Sequence, residues 1–135
     1  MNWTQSLIRI SNHEVETLQK RLGEIVGRRL AAELRIAVLQ AEAEVEAKQA
    51  EASVDAGWYM IGYRAGLQHR KAEAQALIDQ ALIEEAGARD ALAQAFEALK
   101  KYEHVAEAAK IAQTKLDGRI ETAALDELGL RRSGR

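Results

Sequence analysis

The stretch Ile78-Asp79-Gln80-Ala81-Leu82-Ile83-Glu84-Glu85-Ala86-Gly87-Ala88-Arg89-Asp90-Ala91-Leu92-Ala93-Gln94-Ala95-Phe96-Glu97-Ala98-Leu99 decides the fold of this chain. Stepping alternately three and four residues from Ile78 meets Ala81, Glu85, Ala88, Leu92, Ala95 and Leu99. The same step continues through Tyr102, Ala106, Ala109, Gln113, Leu116, Ile120, Ala123, Glu127 and Leu130, and thirteen of the sixteen positions are apolar. A step averaging ~3.5 residues over several heptads is the pattern of a coiled-coil seam. A helix on a globular core carries a broader stripe.

A second series runs upstream. From Ile8 the step meets Ser11, Val15, Leu18, Leu22, Ile25, Arg29, Ala32, Ile36, Leu39, Ala43, Glu46, Ala50 and Ser53, ten of fourteen being apolar. Helix formers dominate both stretches, and the chain has no proline to interrupt either. The alanines of the second series are small enough to let two helix axes approach closely. Ile36 and Leu39 on one side, and Leu92 and Leu99 on the other, are the large partners that fill such a gap.

Between the two series lies Ala56-Gly57-Trp58-Tyr59-Met60-Ile61-Gly62-Tyr63-Arg64-Ala65-Gly66-Leu67. It holds three of the nine glycines and three of the six aromatic residues. Glycine weakens a helix by ~1 kcal/mol relative to alanine, so Gly57 and Gly62 are the expected points of reversal. The expected fold is all-α: a long, rod-like, two-helix antiparallel coiled-coil hairpin forming a single domain over 1–135. Arm 1 is expected over about 5–56, the reversal at about 57–63, arm 2 over about 64–130 and a basic tail at 131–135. Each arm of ~50–65 residues would be ~75–95 Å long at ~1.5 Å per residue.

Composition narrows the function. The 135 residues include 26 alanines and six aromatics, which cannot fill the thick core of an α/β enzyme. There is no cysteine, hence no disulfide, thiol nucleophile or Cys-ligated zinc. A formal net charge of −2 argues against duplex nucleic acid as a partner. No apolar run reaches the ~20 residues of a membrane span, so no direct membrane insertion is expected. Met1-Asn2-Trp3-Thr4-Gln5-Ser6 lacks the pattern of a cleaved signal, and the expected location is cytoplasmic.

No catalytic constellation stands out. Among His13, His69 and His104, only His69 has a carboxylate four residues away, Glu73, a coincidence expected in a Glu-rich helix. No glycine loop fits a phosphate. No enzymatic activity, cofactor or metal is expected. Gly23 to Gly27 and Gly62 to Gly66 have small-xxx-small spacing, which carries weight only in an apolar membrane helix.

Two surfaces remain as candidates for partner binding. Trp58, Tyr59 and Tyr63 sit at the expected reversal; Tyr59, Tyr63 and Leu67 share one helical stripe, which Arg70 extends. They either staple the turn, packing around Val38 or Val45 of arm 1, or anchor a partner, since Trp, Tyr and Arg carry interface hot spots. At the other end, an antiparallel hairpin would lay residues 6–10 beside residues 125–132. Arg131, Arg132 and Arg135 there either complement the helix dipole or form a docking end for an acidic or ring-shaped partner.

The order of these features resembles the FliJ family, small coiled-coil components of the bacterial flagellar type III export apparatus. The resemblance spans the chain. It rests on Ser6-Leu7-Ile8-Arg9-Ile10 with Glu14-Val15-Glu16-Thr17-Leu18, and on the aromatic region from Trp58 to Leu67. Ala98-Leu99-Lys100-Lys101-Tyr102-Glu103 adds to it. So does the terminal Arg119-Ile120-Glu121, Leu125-Asp126-Glu127-Leu128 and Arg131-Arg132.

The resemblance implies a stalk-like coupling factor between the hexameric export ATPase and the membrane export gate, and an escort of export chaperones. It implies an ATPase contact at the terminal end through Arg9, Leu128, Arg131 and Arg132. It implies a gate contact near the tip through Val38, Ala41, Val45, Trp58, Tyr63, Leu67 and Arg70. It also implies a position at the inner face of the cell membrane, at the flagellar base. Two other identities fit the same pattern: a self-associating structural coiled coil, and the equivalent stalk of a virulence injectisome.

Overall fold

The computed structural model describes residues 3–134. They form two helices, α1 over Trp3–Ala50 and α2 over Ala56–Ser133, and no strand occurs among them. The fold is all-α, as the spacing of apolar residues requires. The described residues fall into two compact units. One is made by residues 16–93 and contains the reversal. The other is made by residues 3–15 together with 94–134.

The reversal lies at residues 51–55, upstream of the expected 57–63. The amides of Glu51, Ala52 and Ser53 donate to the carbonyls of Ala47, Gln49 and Ala50 at 3.3, 3.2 and 3.3 Å, closing the last turn of α1. Ser53 and Asp55 explain the position. Short polar side chains compete with helical hydrogen bonding and favour the residue just before a helix starts, where Asp55 stands. Gly57 and Gly62 lie inside α2, with no positive φ and nothing within 4 Å of where a Cβ would stand. Arm 1 therefore ends at Ala50 rather than near 56, and α2 begins eight residues before the expected 64. At the far end, Arg131 and Arg132 are helical, in the last turn of α2, rather than in a tail. Arg135 lies outside the described residues.

The 16–93 unit is an antiparallel hairpin. Its seam follows the three-four step closely. Ile25, Ala32 and Leu39 of α1 and Met60, Leu67, Ala74, Ile78, Ala81 and Ala88 of α2 are buried. Ile25 and Leu39 are the two largest fully buried side chains, at 1% exposure each. Ile25, Ala81 and Ala88 form a cluster against which Leu22 packs. Large residues of α1 thus fill the space that alanines of α2 leave. Fully burying a Leu or Ile is worth ~1.5–3 kcal/mol.

One layer of this seam is charged. Arg29 Nε donates to Glu85 Oε2 at 2.8 Å, and its Nη1 reaches Glu33 Oε1 at 3.0 Å. Arg89 Nη2 donates to the other oxygen of Glu85 at 2.8 Å. Arg28 pairs with Glu84 beside this layer. Glu85, 7% exposed, is accordingly satisfied at both oxygens. The two guanidiniums, Arg89 first, hold its carboxyl below the usual carboxylate range. The Glu85 hydrogen bond likewise raises the pKa of Arg29. Hydrogen bonding to Arg28, then to Gln80, lowers that of Glu84.

In the other unit, Thr4, Ser11 and Val15 of α1 and Ala95 and Leu99 of α2 are buried, with Tyr102 and Ala106 half-buried. Beyond Ala106 every described residue of α2 is exposed. The apolar step continues there in sequence, but none of its positions is buried among the described residues.

Candidate partner-binding surfaces

The expected tip surface does not form as one patch. Leu67 is buried in the seam, at 6% exposure, and Tyr63 is half-buried beside it. Both line a groove with Gln40, Ala43, Glu44 and Ala47 of α1. The Tyr59 and Tyr63 rings lie 5.9 Å apart at 32°, and the Arg70 guanidinium sits 5.8 Å from the Tyr63 ring centroid. Such a contact holds a cation over the negative face of the ring. Tyr63 and Leu67 therefore staple the hairpin, with Arg70 lying over the Tyr63 ring.

Val38, Ala41 and Val45 are all exposed, Val38 at 39% and Val45 at 55%. Ala41 and Val45 each lie two residues from a seam position, Leu39 and Ala43, which turns them ~200° away on a helix. They occupy the outer face of α1, opposite the groove that Tyr63 and Leu67 line. Leu30 and Leu34, at 52% and 64% exposure, extend this outer stripe at i, i+4, i+8, i+11 and i+15. The signal for them was available as a second apolar spacing, displaced from the seam.

Trp58 is exposed at 85%, as an anchor for a partner would be. Val54, Tyr59 and Ile61 stand out with it, at 99%, 59% and 69%. Val54, Trp58 and Ile61 follow at i, i+4 and i+7 across the start of α2. Val54 went unnoticed in sequence because it lies in the short turn, where no periodic pattern applies.

The terminal surface is also divided. Thr4, Gln5 and Ile8 share a groove with Glu103, Ala106, Glu107, Ala109, Lys110, Gln113 and Thr114. Residues 6–10 thus lie near residues 103–114, not beside 125–132. The earlier reversal and the lengths of the helices, 48 residues against 78, account for the shift. Arg9 is exposed at that level. Leu128, 54% exposed, Arg131 and Arg132 stand farther along α2. Gln113 and Arg131 are ~27 Å apart along the helix at ~1.5 Å per residue. Arg131 Nη2 pairs with Glu127 at 3.5 Å, and Ser133 Oγ donates to the Gly129 carbonyl at 2.6 Å.

No group of His, Cys, Asp and Glu suited to a metal ion occurs among the described residues. No helix of the described chain is long and apolar enough to cross a membrane.

No family model matches the chain, and no solved structure matches it. Two curated relatives do. The flagellar FliJ proteins of Caulobacter vibrioides strains NA1000 / CB15N and ATCC 19089 / CB 15 are each 63% identical over 131 residues. The match covers 97% of this chain and 94% of each relative. Identity of that degree over nearly the whole length leaves no room for a chance likeness between coiled coils: the chain belongs to the FliJ family of flagellar proteins.

Proposed function

We propose that this chain is a non-enzymatic component of the flagellar type III export apparatus, a stalk-like coupling factor between the hexameric export ATPase and the membrane export gate. Its place is then in the cytoplasm, at the inner face of the membrane beneath the flagellum, where it also escorts export chaperones. Family membership supports the flagellar setting. The observation that carries the stalk reading is the end of α2. Beyond Thr114, α2 has no residue of α1 level with it and ends in Arg131 and Arg132. A single helix is ~10–12 Å across with its side chains, thin enough for the pore of a ring. Two arginines in its last turn suit acidic groups lining such a pore.

The gate reading falls to the tip, with Trp58 and the outer stripe of Val38, Ala41 and Val45 as the surfaces open to a partner. Tyr63, Leu67 and Arg70 then act by holding the hairpin that presents them.

Binding of the purified export ATPase tests the stalk reading. Charge reversal at Arg131 and Arg132 together is expected to weaken binding at least ~10-fold and to remove any stimulation of ATP turnover. Unchanged binding and turnover would sink the terminal docking site. Trp58→Ala is expected to weaken gate binding and leave ATPase binding intact.

A further inference from the structure

The second helix carries its seam past the part of α1 that could cover it. Ala109, Leu116, Ile120, Ala123 and Leu130 continue the step of the buried Ala95 and Leu99, with Gln113 and Glu127 as polar interruptions. Yet Leu116, Ile120 and Leu130 are 50%, 59% and 72% exposed. The first turns of α1 reach only as far as Gln113 and Thr114. A half coiled coil of this length has the spacing of a paired seam and lacks the pair.

We propose that residues 116–127 of α2 pair antiparallel with the same residues of a second copy of this chain. The seam and its charges together select this occupant and its register. A three-four series read backwards matches itself only when the two-fold axis falls between two seam residues. With the axis between Ile120 and Ala123, Ile120 of each copy meets Ala123 of the other, and Leu116 meets Glu127. The flanking positions then set Arg119 against Asp126, twice by symmetry. Moving the axis between Leu116 and Ile120 would set Arg119 against Arg119. Moving it between Ala123 and Glu127 would set Asp126 against Asp126. A parallel pair would bury Glu127 against Glu127 in the seam.

Beside the seam, Lys115, Gly118, Arg119, Thr122, Ala123 and Asp126 line a shallow trough, so the two charges that set the register share one open face. The layer that pairs Leu116 with Glu127 is the weakest. There the aliphatic stem of Glu127 covers Leu116 while its carboxylate reaches Arg131, its neighbour one turn on. Past that layer the like charges of Arg131 and Lys110 come level, which ends the pairing.

The overlap is short, ~18 Å at ~1.5 Å per residue. A contact of that length falls at or below the ~1,200 Å² lower limit of specific interfaces. The pair is therefore a weak, concentration-dependent dimer, and it covers the end that the stalk reading gives to the ATPase. The free chain is paired and the docked chain is single.

Sedimentation velocity on the purified full chain over a wide concentration range tests this without any partner. The mass should rise from monomer to dimer. Arg119→Asp and Asp126→Arg should each weaken association at least ~10-fold, because each puts like charges at both symmetric contacts. Mixing the two variants should restore it. In the mixed pair the aspartate introduced at position 119 meets the arginine introduced at position 126, and the unchanged Asp126 of one variant meets the unchanged Arg119 of the other. Far-UV circular dichroism checks that both variants keep their helix content. A chain that stays monomeric throughout overturns the proposal and leaves the stripe to a different protein. Single variants that dimerise like the parent place any dimer elsewhere on the chain and overturn it too. A mixture that fails to recover overturns the antiparallel register and with it the proposal. None of these outcomes bears on ATPase binding, so the stalk reading stands or falls separately.

Discussion

Glu85 occupies a seam position yet carries a charge, and Arg29 and Arg89 make it tolerable by donating to both of its oxygens. Because its carboxyl lies below the ordinary 4.5 in the fold, its contribution is present above that pH and is lost as pH falls through the folded value. Stability measured by chemical denaturation should therefore drop as the pH goes below ~4.5, and Glu85→Gln should flatten that drop. A variant with the parent's acid dependence would show that other carboxylates govern it.

Gly57 and Gly62 bear on the same scale. Both are helical with open space around them, so Gly62→Ala should raise stability by ~0.5–1 kcal/mol, or ~2–4 °C in the unfolding midpoint. A loss instead would mean that the chain reverses at this glycine. Sequence favoured the glycines because their cost in a helix is familiar. Ser53 and Asp55 mattered more, since a chain can carry a glycine inside a helix while short polar residues favour helix ends.

At the scale of the element, α1 was legible almost residue by residue. Every member of its three-four series from Ile8 to Ala50 is buried or half-buried, because a seam of that spacing keeps one narrow face against its neighbour. In α2 the same step was equally regular, yet burial stops at Ala106. Periodicity records what a helix could bury, and a neighbour must be present for it to do so. Leu39→Ala should cost ~2–5 kcal/mol, since Leu39 is 1% exposed. Leu116→Ala, at a half-exposed position of the same seam pattern, should stay within ~0.5 kcal/mol in dilute monomeric protein. Urea denaturation of the two variants checks the contrast. Equal losses would show that the end of α2 is covered in the monomer.

The candidate surfaces were less legible than the helices. Trp58 and the terminal arginines are exposed, whereas Leu67 belongs to the seam and Arg9 lies at the level of residues 103–114. The reason is one of register. A shift of a few residues in the turn carries each arm past the other and changes which groups meet, while leaving the helical spacing of each arm untouched.

At the scale of the whole molecule, the two units differ in what they leave uncovered. The unit of residues 16–93 exposes Val54, Trp58 and Ile61 at its turn, and an outer stripe from Leu30 to Val45. The unit of residues 3–15 and 94–134 exposes a helix end that carries an unfilled seam and two terminal arginines. A coupling factor needs two such surfaces for two partners, and the stalk reading gives one to the ATPase and one to the gate.

Hydrogen exchange of the full chain, at a concentration where it is monomeric, with and without the purified export ATPase hexamer, tests that assignment most directly. Amides of residues 115–133 should exchange quickly in the free chain, since no described residue of α1 lies level with that stretch, and slow at least ~10-fold in the complex. Amides of residues 54–66 should be unchanged. Protection at the tip instead, or no protection at the end of α2, would contradict a stalk that enters the ATPase by its arginine end.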